Sequence, residues 1–182
     1  MRVKQTFDTN EIQQYYSIVS EQYYGRLGIK MDKAKLINEH AKKCKSPDIY
    51  VADDSKIVGG FQLCSKKTNS IPCEDYIEDI SKYLPEKLNR TKNYCEVSKL
   101  VMDKNNSKRS FYSYILFAAW NIMRQTNHDG LVFIAPKAQS VLYKKTFEIK
   151  KLGKLFEYHV SNQAFTADKF DMEFFLTAIF KT

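Results

Sequence analysis

The chain has 182 residues, 43% of them apolar and 14% aromatic, which is enough to close one core without staples and excludes a disordered polypeptide. Its 29 basic and 21 acidic side chains leave a net charge of +8, so its partners are expected to be acidic, or the excess is simply a solvated basic surface. No apolar run approaches the roughly 20 residues of a membrane span, the opening MRVKQTFDTNEIQQ lacks a secretory core, and no zinc finger or aromatic-interleaved RNA-binding signature occurs, so a cytoplasmic protein that takes no nucleic acid is expected.

In chain order, RVKQTF alternates as a short strand does. The stretch TNEIQQYYSIVSEQYYGRLG predicts a helix with a cap at Asp8 or Thr9 and a stop at Gly25 or Gly28. MDKAKLINEHAKKCK predicts a second helix, stopped by Pro47. DIYVADDSKIVGGFQLCSK predicts two strands about a D-D-S-K turn. CEDYIEDISKYLPEKL is charged, helical or loop-like, and broken at Pro85. Then YCEVSKLVMD predicts a strand, SFYSYILFAAWNIMRQTNH an apolar helix closed by Gly130, and GLVFIAPK a strand buried on both faces. AQSVLYKKTFEIKKLG predicts a helix ending in a turn, and residues 155–182 one or two closing strands. Strand 94–102, helix 110–127 and strand 131–135 form a crossover unit inside a mixed α/β sheet, and residues 1–182 are expected to be a single domain.

Cys44, Cys64, Cys73 and Cys95 show no C-x-x-C pair, and His40, His128 and His159 are scattered. Reduced thiols and no metal are therefore expected. The stretch that asks for an explanation is YCEVSKLVMD. Tyr94, Cys95, Val97, Leu100, Val101 and Met102 suit a covered strand, while a buried Glu96 costs several kcal/mol unless it is paired, hydrated or put to use. Either it forms a structural ion pair with a nearby Lys or Arg, or it faces a site. Ser98 shares its face if no bulge intervenes, because side chains alternate along a strand.

The element order is similar to the GNAT N-acyltransferase fold, and the motifs narrow it. KIVGGFQLCSKKTNSIPCEDYIEDI resembles the G-G/C-x-R-L strand and following loop of the acyl-homoserine-lactone (autoinducer) synthases. YCEVSKLVMD resembles their W-E-x-S-R-F-x-V strand. LFAAWNIMRQTNHDGLVFIAPKAQSVLYKKTFEIKKLG resembles their helix, apolar strand and glycine-terminated ending. The related N-acyl amino acid synthases share this plan, and the likeness covers roughly residues 20–155.

The resemblance implies acyl transfer from a pantetheine thioester, acyl carrier protein or acyl-CoA, to an amine. The acceptor would be S-adenosylmethionine, an amino acid or another small molecule. It makes Glu96 the group that helps deprotonate the amine and Ser98 a hydrogen-bonding group of the catalytic strand. It puts Lys99 and Gln62 at substrate-binding positions, where the autoinducer synthases carry arginines. The N-terminal arginine–phenylalanine–tryptophan motif of those synthases is missing as well, VSEQYYGRLGI standing there. These departures weigh against homoserine-lactone synthesis more than against acyl transfer.

Phe111 and Ile134, with Ile115 and Trp120, are apolar candidates to line the acyl chain. Acetyl-CoA enzymes of the fold carry a glycine turn after this strand. DKNNSKRSF has none, and offers instead Ser107, Lys108 and Arg109 to the single phosphate of a carrier-protein arm. Arg109, Lys144, Lys145, Lys150, Lys151 and Lys154 would form the basic docking face for that acidic carrier. The alternatives are an acetyl-CoA-dependent acetyltransferase and a non-catalytic acyl-binding module of the same fold.

Overall fold

The structure is a computed structural model. It describes residues 1–27, 30–42, 48–53, 55–67, 70–75, 77, 79–106, 109–136, 139, 141, 150–159 and 171–180, with backbone alone for 26–27, 39–42, 75, 106, 109–111, 150–159, 171–175 and 177–180. The element order is β1 (Arg2–Gln5), α1 (Thr9–Leu27), α2 (Lys33–Lys42), β2 (Asp48–Asp53) and β3 (Ile57–Ser65), then 3-10 turns at Pro72–Asp75 and Ile80–Tyr83. It continues with α3 (Glu86–Thr91), β4 (Tyr94–Met102), a 3-10 turn at Lys104–Asn106, α4 (Arg109–Gln125), β5 (Gly130–Pro136), β6 (Lys150–His159) and β7 (Asp171–Phe180).

The strands form one seven-stranded sheet in the order β1-β2-β3-β4-β5-β7-β6. β4 and β5 run parallel with α4 between them in sequence, as the crossover reading requires, and β5 pairs antiparallel with β7. β6 corrects the sequence reading. Lys150, Lys151 and Gly153, expected at the end of a helix, lie in a strand. Glycine weakens a helix interior, and lysines suit an outermost strand, whose free edge they keep from pairing.

The chain divides into two compact units. The first takes Met1–Gln62, Lys99–Leu116 and His159–Asp171. Its core gathers Tyr15, Tyr16 and Val19 of α1 with Ile49 and Val51 of β2, Ile57 of β3 and Val101 of β4. α1 starts where the sequence places it, because Asp8 Oδ1 accepts the N–H groups of Asn10 at 2.8 Å and Glu11 at 3.0 Å. Glu11 in the first turn accepts from Lys4 and Thr6, and these bonds hold its carboxyl below the ordinary range. The second unit takes Leu63–Ser98, Phe117–Tyr158 and Met172–Thr182. Its core packs Cys64, Ile71, Cys73, Ile77, Ile80, Leu84 and Leu88 around Tyr94 of β4, Val132 of β5 and Leu176 of β7.

The Gly59–Gly60 pair of β3 is a spacing device within the first unit. A Cβ on Gly59 would run into the carbonyl of Val101 and come within 2.6 Å of the Met102 sulfur. A Cβ on Gly60 would run into the carbonyl of Tyr50 and press on the Tyr15 ring at 3.1 and 3.2 Å. Backbone atoms give way less readily than side chains, so Gly59→Ala is expected to lower stability by about 1–3 kcal/mol in denaturant titration. Unchanged stability would mean that β3 and β4 are less closely packed than described.

Candidate functional site

β4 changes character along its length. Tyr94, Cys95, Glu96 and Val97 are buried, Ser98, Lys99 and Leu100 are partly exposed, and Val101 and Met102 are buried again. Among the described residues its ladder with β5 pairs Tyr94 with Gly130, Cys95 with Leu131 and Glu96 with Val132. β5 nevertheless continues, pairing with β7 as far as Pro136–Phe174. Lys99 then takes a left-handed backbone, φ 47°, inside the strand. That conformation costs a residue with a Cβ about 1–3 kcal/mol, so the surrounding structure has to hold it in place. Because it follows Ser98, the alternation that puts Glu96 and Ser98 on one face is not interrupted between them.

In the second unit, Glu96 is 4% exposed and its Oε2 accepts the backbone N–H of Cys73 at 2.7 Å. Cys73 stands in the Pro72–Asp75 turn, where burial first and the Glu96 carboxylate next push its thiol well above the ordinary range. It is therefore a buried neutral thiol and a backbone donor, not a nucleophile. The turn itself is tied down. Lys66 Nζ grips both oxygens of Glu74 at 2.6 and 2.8 Å, and Glu74 Oε2 also accepts the Ile71 N–H at 3.2 Å.

Tyr94, two residues before Glu96 and on its face, is wholly buried. Burial, with the carboxylates of Glu74 and Glu96 adding to it, raises its phenol, which stays protonated at working pH. Ile134 of β5 is partly buried and packs on the same apolar cluster as Tyr94 and Cys73. His128 is held between hydroxyls, Ser65 at 2.8 Å and Thr126 at 2.9 Å. Among the described residues no group of three His, Cys, Asp or Glu is placed to hold a metal ion.

In the first unit, Lys99 Nζ donates to Gln62 Oε1 at 3.0 Å, and Gln62 Nε2 donates to the Tyr16 hydroxyl at 2.7 Å. Gln62 is 2% exposed, so both ends of its amide are engaged in a dry setting, where an unmet polar group would be costly. The two residues expected at substrate-binding positions thus meet each other.

The other site expectations fare unequally. Arg109 and Phe111 open α4, but their side chains, like those of Lys150, Lys151 and Lys154, are outside the described residues. Ser107, Lys108, Lys144 and Lys145 lie outside them altogether. Ile115 is fully buried core and Trp120 partly buried. Sequence reasoning missed Cys73, Tyr94, Tyr15 and Tyr16. Only Tyr94 carried a signal, through its period-two relation to Glu96.

Comparison with known proteins bears on the family and the fold. The sequence profile of the N-acyl amino acid synthase FeeM family matches residues 14–167. The chain belongs to the N-acyl amino acid synthase FeeM family. No curated protein sequence matches it.

Among solved structures it is similar to FeeM, an N-acyl amino acid synthase from uncultured soil microbes, with TM-score 0.71 and 12% identity over 98% of this chain and 90% of that one. It is also similar to the AHL synthase LasI, with TM-score 0.69 and 10% identity over 98% and 88% of the two chains. The spermidine N-acetyltransferase from Vibrio cholerae gives TM-score 0.64 and 12% identity over 98% and 94%. The fold is therefore the GNAT fold, and the protein is an N-acyltransferase of the FeeM and GNAT type. No helix among the described residues is long and apolar enough to cross a membrane.

The state of Cys73 has a direct chemical readout. In the native protein it is expected to resist iodoacetamide at mildly alkaline pH, reacting at least about 100-fold more slowly than in guanidinium, as peptide mapping would record. Rapid native alkylation at Cys73 would contradict its burial against Glu96.

Proposed function

We propose that the chain, acting as a single catalytic domain, transfers an acyl group from the pantetheine thioester of an acyl carrier protein to the amino group of an amino acid. The observation that carries this reading is Glu96, a carboxylate buried in mid-strand and fixed by the Cys73 N–H where the β4–β5 ladder stops. Family membership over residues 14–167 supports the amino acid as acceptor.

Each group has a task. An ammonium cannot attack, so Glu96 takes a proton from it, directly or through water. The nitrogen lone pair then adds to the thioester carbonyl carbon, and the negative charge that develops on oxygen needs donors. The edge of β5 beyond Val132 supplies backbone N–H groups for it. Collapse breaks the C–S bond. Of the two protons that leave nitrogen, one ends on the sulfur and the other in solvent, giving an amide and a free thiol.

Ser98 hydrogen-bonds the substrate. Lys99, steadied by Gln62, brings a positive charge suited to the acceptor's carboxylate. Ile134 lines the acyl chain. Ser107, Lys108 and Arg109, in a turn without glycine, suit the one phosphate of a carrier arm better than the pyrophosphate of CoA. The net charge of +8, with lysines along β6, suits an acidic carrier.

The test is mass spectrometry of extracts and medium from a bacterium expressing the wild type or Glu96→Gln. The wild type is expected to yield N-acyl amino acids, and the variant to yield about 100-fold less or none. With purified protein, acyl carrier donors should exceed acyl-CoA in kcat/KM. Acetylation from acetyl-CoA alone would move the protein to the small-molecule acetyltransferases. A fully active Glu96→Gln would remove the carboxylate from the mechanism.

A further inference from the structure

Two consecutive residues of α1, Tyr15 and Tyr16, converge on Lys99 from different directions. The Tyr15 hydroxyl donates to the Lys99 carbonyl at 2.8 Å. The Tyr16 hydroxyl receives the Gln62 amide at 2.7 Å, and that amide in turn accepts the Lys99 ammonium at 3.0 Å. The first contact acts on the main chain of Lys99 and the second, through one intermediary, on its charge.

Both rings are buried, Tyr15 at 0% and Tyr16 at 2% exposure, and they lie 5.3 Å apart at 48° to each other. Tyr15 sits over Gly60, where a Cβ would crowd its ring. Neither hydroxyl can therefore swing away to another partner without repacking the core of this unit. Lys99 is also one of four residues other than glycine with positive φ, among the described residues, and the one that lies inside a strand. A hydroxyl bound to its carbonyl fixes the peptide that follows Lys99 and so restrains the backbone next to the positive φ.

We propose that Tyr15 and Tyr16 are positioning residues for the acyl transfer, Tyr15 fixing the left-handed turn of β4 at Lys99 and Tyr16, through Gln62, fixing the Lys99 ammonium for the carboxylate of the acceptor. This rests on the reading of Lys99 given above for its kinetic consequence, and stands apart from it for its structural one. Neither tyrosine touches the reacting atoms. Both act through Lys99, so their removal changes which acceptor is preferred and leaves the donor's affinity alone.

The experiment compares wild type, Tyr15→Phe, Tyr16→Phe and Lys99→Met with a free amino acid and with its carboxamide as acceptors, at saturating acyl donor. Phenylalanine keeps each ring and removes only the hydroxyl, so the variants should fold. The wild type is expected to prefer the free acid. Each tyrosine variant should lose about tenfold of that preference through a raised acceptor KM, while the carboxamide and the donor KM change little. Equal losses on acid and amide would reduce the tyrosines to structural supports and overturn the proposal, as would unchanged preference.

A second readout does not depend on activity. Backbone NMR shifts of Lys99 report its left-handed conformation, which should persist in Tyr16→Phe and be lost in Tyr15→Phe. If the wild type acylates no amino acid, the function proposed above fails while this arm still decides the role of Tyr15. Unaltered Lys99 shifts in Tyr15→Phe would refute it.

Discussion

β4 has to be two strands in succession. From Tyr94 to Glu96 it is an inner strand hydrogen-bonded to β5, and parallel inner strands are covered on both faces and read as continuous apolar runs. An acyltransferase also needs main-chain N–H groups that no neighbour has claimed, which an inner strand does not offer. Among the described residues the β4–β5 ladder ends after three pairs, while β7 keeps β5 paired on its other side to Pro136. β5 therefore stays paired on one side where the β4 ladder has stopped, and the burial of β4 relaxes at Ser98, Lys99 and Leu100 before it resumes at Val101.

A carboxylate at the last paired position is tolerable only if something replaces its hydration. Leaving water costs an ionised carboxyl several kcal/mol, and one backbone N–H recovers part of that. The donor comes from the Pro72–Asp75 turn, and what fixes that turn is the Lys66–Glu74 pair together with the Ile71 N–H on the same carboxylate. Lys66 is in turn bound through its own N–H to the Tyr94 carbonyl at 2.9 Å. The position of Glu96 is thus set by a closed circuit that leaves β4 at Tyr94, passes through the loop after β3 and returns to β4 at Glu96. A surface ion pair contributes little to stability, but here it fixes the placing of a donor.

Much of this was legible in the sequence, for reasons that can be named. The strands β2, β3, β4 and β5 announce themselves by apolar runs cut by D-D-S-K, Pro85 and Gly130, and α1 by its Asp8 cap. Glu96 stood out because charge inside an apolar run contradicts its surroundings. What the sequence did not show are partners remote along the chain. Nothing in the string links Cys73 to Glu96, 23 residues apart, or Tyr15 to Lys99, 84 residues apart. A backbone donor carries no residue signature, and a buried tyrosine is ordinarily core. β6 was misjudged for a different reason, since K-K-L-G-K suits a helix end by its charge, while its place at the edge of the sheet is decided by tertiary pairing.

The departures from the autoinducer synthases at positions 62 and 99 look, one at a time, like two losses. Side-chain chemistry makes them one change. Two arginines have ten N–H donors between them and no acceptor, so they can share a site only through other groups. Glutamine offers an acceptor at one end of its amide and a donor at the other, and here both are used, toward the Lys99 ammonium and the Tyr16 hydroxyl. An arginine at 62 would have no acceptor to offer the Lys99 ammonium, which is what the Gln62 oxygen supplies here. The pair therefore joins one cation to a neutral amide, and the amide to a buried tyrosine, with each polar end met by the next.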